Sequence, residues 1–140
     1  MNIERAIREA FNRAQARNND YLVVLVDIHD TIFEACWHNE ENFKYFPYAK
    51  ETLQEMSKRD DIKIVLWSST YPQDLDMYLD KLLDDNIIVD YVNENPYDGN
   101  TDLACFDKKF YFSFGIDNAF GFEPETDWKI IYNTLNNFKL

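Results

Sequence analysis

Glycine is scarce in this sequence, with only three residues in a chain of 140. They are Gly99, Gly115 and Gly121, and no two of them lie close together. Isolated glycines cannot build the glycine-rich phosphate loops of P-loop nucleotide triphosphatases or of dinucleotide-binding enzymes. Both of those enzyme classes are therefore excluded.

Cysteine is also scarce, because the chain has only Cys36 and Cys105. Two cysteines do not make a disulfide framework. Together with His29 and His38 they can be drawn as a zinc set, but their spacing matches no paired-ligand pattern and zinc is disfavoured. Long apolar runs are missing as well, so we expect neither a signal peptide nor a membrane span. These features predict a reduced, cytoplasmic domain.

Basic residues are few relative to acidic ones. Lys and Arg number 14 against 26 Asp and Glu, which gives a net charge of −12. No cluster of Lys or Arg offsets this repulsion, so a nucleic-acid duplex is disfavoured as a partner. The length predicts a single domain over residues 1–140.

What the sequence does contain is an alternation of helical and strand patterns. Apolar runs typical of buried strands alternate with segments whose apolar residues recur at helical spacing. The predicted strands are Tyr21–Leu25, Ile62–Trp67, Ile87–Val92 and Phe110–Ile116. The predicted helices are an amphipathic one from Ile3 to Ala14, one opened by Pro47, one capped by Thr70 and Gln73, and a last one around Trp128. This order predicts an α/β protein, a three-layer α/β/α sandwich with a mainly parallel, Rossmann-type sheet.

Polar side chains follow three of the predicted strands. Because the carboxyl ends of parallel strands meet at one edge of a sheet, these side chains should converge on one crevice. Lys108 and Lys109, just before the last strand, add a cation. Carboxylates, hydroxyls and a lysine suit Mg²⁺ and a phosphoryl group. The converging residues are Asp27, His29, Asp30 and Thr31, then Ser68, Ser69 and Thr70, and finally Asp117 and Asn118.

These motifs resemble those of the haloacid dehalogenase superfamily, in its small phosphatases without a cap domain. Asp27-Ile28-His29-Asp30-Thr31 resembles the family's first motif, Asp-x-Asp-x-Thr, except that His29 stands at the third position. Ser68 matches the second motif, Lys109 the third and Asp117-Asn118 the fourth. The segment from Glu34 to Phe46 is too short for a separate cap domain, which is consistent with this resemblance.

The resemblance implies a Mg²⁺-dependent phosphomonoesterase that works through an aspartyl-phosphate intermediate. Asp27 would be the nucleophile. The metal would be held by Asp27, Asp117 and the backbone carbonyl of His29, with Asn118 contributing a hydrogen bond or a contact through water. The phosphoryl group would be bound by Thr31, Ser68, Ser69 and Lys109, with Lys108 as the alternative lysine.

His29 is the departure from the family pattern, because an aspartate there would act as general acid and base. An imidazole can also give and take a proton near neutral pH, so we predict that His29 takes over this role. The alternatives are that Asp30 is recruited instead, or that the site is degraded. Asp30 more often forms local hydrogen bonds in a loop of this kind.

The expected substrate is a nucleotide, a small phosphoester or a phosphorylated protein. The alternative function is a catalytically weak or inactive protein of the same fold that binds a phosphorylated ligand or partner. A receiver-like domain is disfavoured, because its acceptor aspartate should follow an internal strand at the place where this chain has Ser68.

Overall fold

A computed structural model describes residues 2–34, 43–96 and 110–140. Within these ranges helices and strands alternate as far as the third strand, the fourth strand is the next described element, and a 3₁₀ turn, Asn118–Phe120, follows it. The helices are α1 (Ile3–Ala16), α2 (Ala49–Lys58), α3 (Pro72–Asp84) and α4 (Asp127–Leu135). The strands are β1 (Leu22–Val26), β2 (Ile62–Leu66), β3 (Tyr91–Val92) and β4 (Phe114–Ile116).

The strands form one parallel sheet in the order β3-β2-β1-β4. The central strand β1 is buried along its whole length, which explains its uninterrupted apolar sequence. Val26, its last residue, pairs with Leu66 on one side and with Ile116 on the other. The predicted α/β class with a parallel, Rossmann-like sheet is confirmed, and the three chain segments that carry the polar residues leave the sheet side by side.

Side chains from alternate strand positions fall into two apolar clusters. The larger cluster joins one face of the sheet to the buried faces of the helices, including Phe11 of α1 and Trp128 of α4. The smaller cluster contains Val23, Leu25 and Val65, with tyrosine rings packed against them. No helix in the described ranges is both long and apolar enough to cross a bilayer.

The last two strands are shorter than the sequence predicts, and both for the same reason. The side chain of Asp90 accepts a hydrogen bond from the Ile64 amide at 2.8 Å. Likewise the Ser113 hydroxyl accepts from the Val23 amide at 3.0 Å. A polar side chain thus takes the place of a strand carbonyl just before each strand, so that the regular ladder begins only at Tyr91 and Phe114.

The start of α3 also differs from the prediction. Thr70 and Gln73 do not form a capping box, because the residue before the helix is Tyr71 and no side chain caps it. Pro72 opens the helix, where its fixed φ and missing N–H are well tolerated. The Thr70 hydroxyl instead faces Ser68 and His29.

Arg59, which directly follows α2, ties the C-terminal segment to the sheet. Its guanidinium donates to both carboxylate oxygens of Asp61 at 2.8 Å and to the carbonyls of Leu135 and Phe138 at 2.7 and 2.6 Å. Burial by itself would raise the pKa of Asp61, but the hydrogen bonds from Arg59 and from the Leu140 amide hold it below its usual range.

Replacing Arg59 with Met should lower the free energy of unfolding by about 2 to 3 kcal/mol, since it strands a partly buried carboxylate and two carbonyls. A carboxyl with a depressed pKa stabilises the fold above its ordinary pKa, so the difference from wild type should shrink as the pH falls below 3.8. Urea unfolding measures both effects. The control is Lys58→Met, at a side chain 69% exposed. Equal unfolding midpoints for the two variants would contradict this role of Arg59.

Candidate active site

Asp27 and Asp117 lie next to each other beyond the sheet edge. Each directly follows a residue of the pair Val26 and Ile116, and the Asp27 amide donates to the Ile116 carbonyl at 3.0 Å. The Asp117 carboxylate accepts from the Ala119 amide at 2.8 Å, which caps the short 3₁₀ turn. Two carboxylates are therefore held at neighbouring strand ends, as the sequence predicts.

The surroundings of Asp27, including Asp117, raise the pKa of its carboxyl group. Burial, and then the negative charge of Asp117, raises the pKa of Asp27 from 3.8 to about 6. Hydrogen bonds from the Ile28 amide and the Thr31 hydroxyl oppose the rise, as does the nearby His29, but they do not cancel it. Two like charges at this edge leave an excess of negative potential that a cation would relieve.

Thr31 connects the first and the last of the polar segments. It is fully buried, and its hydroxyl lies 3.2 Å from Asp27 Oδ2 and 3.3 Å from Asn118 Oδ1 while accepting from the Asn118 amide at 3.2 Å. The Thr31 carbonyl accepts a hydrogen bond from the Trp128 indole N–H at 2.7 Å, so α4 anchors the loop that follows β1. The structure thus places Thr31 as a buried support for Asp27 and Asn118, whereas the sequence pattern indicates a phosphoryl contact.

His29 points toward the loop after β2 and toward α3. Its Nε2 lies 2.9 Å from the Tyr78 hydroxyl, and its Nδ1 lies 3.3 Å from Thr70 Oγ1. The Tyr78 ring meets the imidazole edge to face, with centroids 5.2 Å apart. Hydroxyl groups of the protein thus contact both ring nitrogens.

The loop after β2 brings its hydroxyls to His29. The Ser68 hydroxyl lies 2.7 Å from Thr70 Oγ1 and accepts from the Thr70 amide at 3.1 Å. Ser69 is exposed in the same loop. The loop residue whose hydroxyl contacts His29 is Thr70. The structure therefore places Asp27, His29 and the hydroxyls of Ser68 and Thr70 at the same edge of the sheet.

Asn93 supports the loop at Ser68, a role that the sequence pattern does not indicate. Its side-chain oxygen accepts from the Ser68 amide and its side-chain nitrogen donates to the Ser68 carbonyl, both at 2.8 Å. Asn93 has a positive φ of 52°, which asparagine tolerates better than most residues. Its position directly after β3, at the same edge of the sheet, was the available signal. Tyr78 is another supporting residue, and its sequence signal is only that of a buried position on α3.

Asp30 adopts a left-handed conformation, with φ at 53°, and its amide donates to the Phe33 carbonyl at 2.8 Å. Its side chain is exposed beside the loop. This geometry fits the local role in the loop that the sequence favours for Asp30 over recruitment as the acid or base.

Several predicted residues lie outside the described ranges. Lys109 and its alternative Lys108 are among them, as are Cys36, His38 and Cys105 of the disfavoured zinc set. Within residues 2–34, 43–96 and 110–140, no three His, Cys, Asp or Glu side chains come together as a metal-binding group. Asp27 and Asp117 therefore form a pair of carboxylates at neighbouring strand ends, without a third such ligand in the described residues.

The raised pKa of Asp27 has a consequence for stability. The folded protein binds a proton at Asp27 more tightly than the unfolded chain does, so the contribution of this residue to stability is present below pH 3.8 and is lost as the pH rises to about 6. Asp27→Asn mimics the neutral form. Allowing for partial solvent screening, it should raise the free energy of unfolding by roughly 1 to 2 kcal/mol at pH 8 and change it little at pH 4.

Urea unfolding at the two pH values measures this effect, with Asp30→Asn as the matched control at an exposed neighbouring carboxylate. Equal gains at both pH values, or a loss at pH 8, would show that Asp27 is not held in an unfavourable charged state.

Comparisons with known proteins give the fold and no more. The sequence matches no protein-family model and no curated protein. A solved structure of a conserved protein from Bacteroides thetaiotaomicron superimposes on this chain with a TM-score of 0.64 at 24% sequence identity. The match covers 86% of this chain and 93% of the other. The chain therefore shares the α/β fold of that protein over nearly its whole length.

Proposed function

We propose that this protein is a Mg²⁺-dependent phosphomonoesterase of the haloacid dehalogenase type, with Asp27 as its nucleophile. The observation that carries the proposal is the pairing of Val26 with Ile116, which brings Asp27 and Asp117 together at the sheet edge. The hydroxyl-bearing loop after β2 leaves the sheet on the other side of Asp27. Carboxylates beside hydroxyl donors suit the transfer of a phosphoryl group next to a divalent cation.

The proposed reaction has two steps. An oxygen of Asp27 attacks phosphorus, the bond from phosphorus to the leaving oxygen breaks, and that oxygen takes a proton from His29. Water then attacks the phosphorus of the aspartyl-phosphate and gives its proton to His29. Inorganic phosphate leaves, and both Asp27 and His29 return to their starting states.

The residues at the edge fit a Mg²⁺ ion. Mg²⁺ in proteins takes one or two carboxylates and keeps several of its waters, which matches the pair Asp27 and Asp117. The repulsion between these two carboxylates supports the assignment, because a divalent cation would remove it. We assign the ion to both aspartates and the His29 carbonyl, with Asn118 at its periphery. Once bound, Mg²⁺ neutralises charge on the phosphoryl oxygens.

The phosphoryl oxygens are assigned to Ser68, Ser69 and Lys109. Asn93 fixes the backbone at Ser68 through its amide and its carbonyl, so that the loop is positioned before a ligand arrives. Thr31 has a supporting part in the proposal, because its buried hydroxyl holds Asp27 and Asn118.

We propose a small phosphoester, a nucleotide or a phosphorylated protein as the substrate. A net charge of −12 opposes the approach of a nucleic-acid duplex, whereas a single phosphate paired with Mg²⁺ carries much less repulsion.

The second candidate function is binding of a phosphorylated ligand without turnover. The contacts of His29 favour it, since hydroxyls of Tyr78 and Thr70 occupy both ring nitrogens. An acid or base that is held in this way must give up one contact before it reaches a leaving group. Hydrolysis of any phosphoester that depends on both Mg²⁺ and Asp27 would exclude this second candidate.

The direct test is a panel of phosphoesters assayed with and without Mg²⁺. It should include an aryl phosphate, nucleoside monophosphates, sugar phosphates and a phosphopeptide. We expect release of inorganic phosphate from at least one class, with loss of the activity on chelation by EDTA and recovery on addition of Mg²⁺. An activity that EDTA leaves unchanged would contradict the proposed mechanism.

Metal binding has a test that needs no substrate. At pH 7.5, saturating Mg²⁺ should raise the melting temperature by about 3 °C or more, because it binds the folded carboxylate pair. Asp27→Asn and Asp117→Asn should each lose this shift, while Asp30→Asn keeps it. NaCl at equal ionic strength controls for screening of the acidic surface. An equal Mg²⁺ shift in all four proteins would mean that the ion binds elsewhere.

A further inference from the structure

Four side chains form a continuous hydrogen-bonded chain through the site. The Ser68 hydroxyl contacts the Thr70 hydroxyl at 2.7 Å, and Thr70 contacts His29 Nδ1 at 3.3 Å. On the other side of the ring, His29 Nε2 contacts the Tyr78 hydroxyl at 2.9 Å. Each link joins groups that can both donate and accept, so the direction of every bond depends on its neighbours.

A neutral imidazole carries one hydrogen, and this limits the chain to two arrangements. In the first, Nε2–H donates to Tyr78, Nδ1 accepts from Thr70, and Thr70 accepts from Ser68. The Ser68 hydrogen is then used inside the chain. Because the Thr70 amide also donates to Ser68 Oγ, Ser68 turns only unused lone-pair density toward the crevice.

In the second arrangement every bond is reversed. Tyr78 donates to Nε2, Nδ1–H donates to Thr70, and Thr70 donates to Ser68. The hydrogen count on the four groups is unchanged, but the Ser68 hydrogen is now free to point into the crevice. A phosphoryl oxygen can only accept hydrogen bonds, so it can pair with Ser68 in this arrangement alone.

We propose that a phosphoryl group bound at Ser68 sets the tautomer of His29 through Thr70, selecting the form with hydrogen on Nδ1. Tyr78 completes the chain and is a positioning residue, since it accepts from the ring before the ligand binds and donates to it afterwards. The inference rests on the proposed function for the placement of the phosphoryl group at Ser68. It adds that the phosphate site and His29 are coupled over the hydroxyl chain.

The tautomer can be measured by ¹⁵N NMR, because an imidazole nitrogen without hydrogen resonates well downfield of an N–H nitrogen. The chain has only two histidines, and His38→Gln leaves the signals of His29 alone. The protein is observed at about pH 8.5, about two units above the pKa of an unperturbed imidazole. Saturating inorganic phosphate with Mg²⁺ should shift the ratio of the two tautomers about tenfold toward Nδ1–H, as a charge-assisted hydrogen bond to Ser68 implies.

Two variants test the chain link by link. Ser68→Ala removes the hydroxyl that phosphate would turn from donor to acceptor within the chain, so phosphate with Mg²⁺ should no longer shift the His29 tautomer in this variant. Thr70→Val interrupts the chain, so phosphate should still change the amide signals of the site but leave the tautomer unchanged.

The outcomes distinguish a failure of the coupling from a failure of the phosphate site. If phosphate changes the Ser68 amide signal in the wild type while the His29 tautomer stays constant, the coupling is wrong although the phosphate site stands. If phosphate with Mg²⁺ shifts the tautomer as strongly in Ser68→Ala as in the wild type, the coupling does not run through the hydroxyl chain. If no signal of the site responds to phosphate with Mg²⁺, the assignment of Ser68 to the phosphoryl group is wrong and the ligand coupling is wrong with it.

Discussion

Asp27→Asn is expected to abolish phosphoester hydrolysis, with a loss in kcat of at least roughly 10⁴-fold, as is typical when a covalent nucleophile is removed. The amide is a far weaker nucleophile than the carboxylate and cannot form the aspartyl-phosphate. Because the same change relieves the repulsion from Asp117, the inactive variant should be at least as stable as the wild type at pH 8. Loss of activity without loss of stability distinguishes a catalytic carboxylate from a structural one.

Steady-state release of phosphate from an aryl phosphate, in the presence of Mg²⁺, measures this effect. Asp30→Asn is the matched control, since it neutralises a carboxylate three residues away in an exposed position and asparagine tolerates the left-handed backbone there. Beryllofluoride provides a second readout, because it mimics an acyl phosphate on a carboxylate. We expect ¹⁹F signals of a bound complex for wild type and Asp30→Asn, and none for Asp27→Asn. Residual turnover by Asp27→Asn above one per cent of wild type would contradict nucleophilic catalysis by Asp27.

The fold was largely predictable because the relevant signals are local. The apolar run of β1 and its abrupt change to Asp27 follow from burial of a central parallel strand. The stripes of α1 and α4 follow from helical periodicity and pack as predicted into the larger cluster. Parallel pairing brings strand ends that are distant in sequence to one edge, as predicted, whereas the strand order β3-β2-β1-β4 is given by the structure.

The strand limits were not predictable in the same way. Ser113 and Asp90 lie inside the strands predicted from the sequence, and only the register between strands reveals that their side chains replace a ladder carbonyl. Thr70 illustrates the same limit at a helix start. Its spacing to Gln73 indicates a capping box, but the hydroxyl contacts Ser68 and His29 instead, and these residues lie within reach only in the folded chain.

Some residues of the candidate site can be identified from the sequence, and others cannot. Residues at strand ends, such as Asp27 and Asp117, are identifiable because the sheet itself brings them together. Residues that act through another side chain are not, since their roles depend on side-chain direction. The Tyr78 ring contacts the His29 imidazole edge to face, but Tyr78 also belongs to the apolar core. From the sequence, its position on α3 is explained by core packing alone. Asn93 is similar, because turn chemistry alone explains an asparagine at positive φ.

His29→Ala should slow hydrolysis by roughly 10² to 10⁴-fold for substrates whose leaving group needs a proton, such as alkyl phosphates, and much less for p-nitrophenyl phosphate, whose leaving group departs as an anion. This difference between leaving groups identifies a general acid, because a purely structural loss would slow both substrates alike. The comparison uses kcat/KM for both substrates with the wild type, His29→Ala and His29→Asp, and thermal unfolding confirms that each variant is folded.

His29→Asp separates a working histidine from a degraded site. If the imidazole does the work, aspartate should recover part of the rate lost in His29→Ala without exceeding the wild type, because the shorter side chain loses the contacts to Tyr78 and Thr70 that orient residue 29. If the natural site is weakened, aspartate should instead raise the rate far above wild type. An alanine variant as fast as the wild type on alkyl phosphates would remove His29 from the chemistry altogether. The acid and base would then have to come from another group or from water.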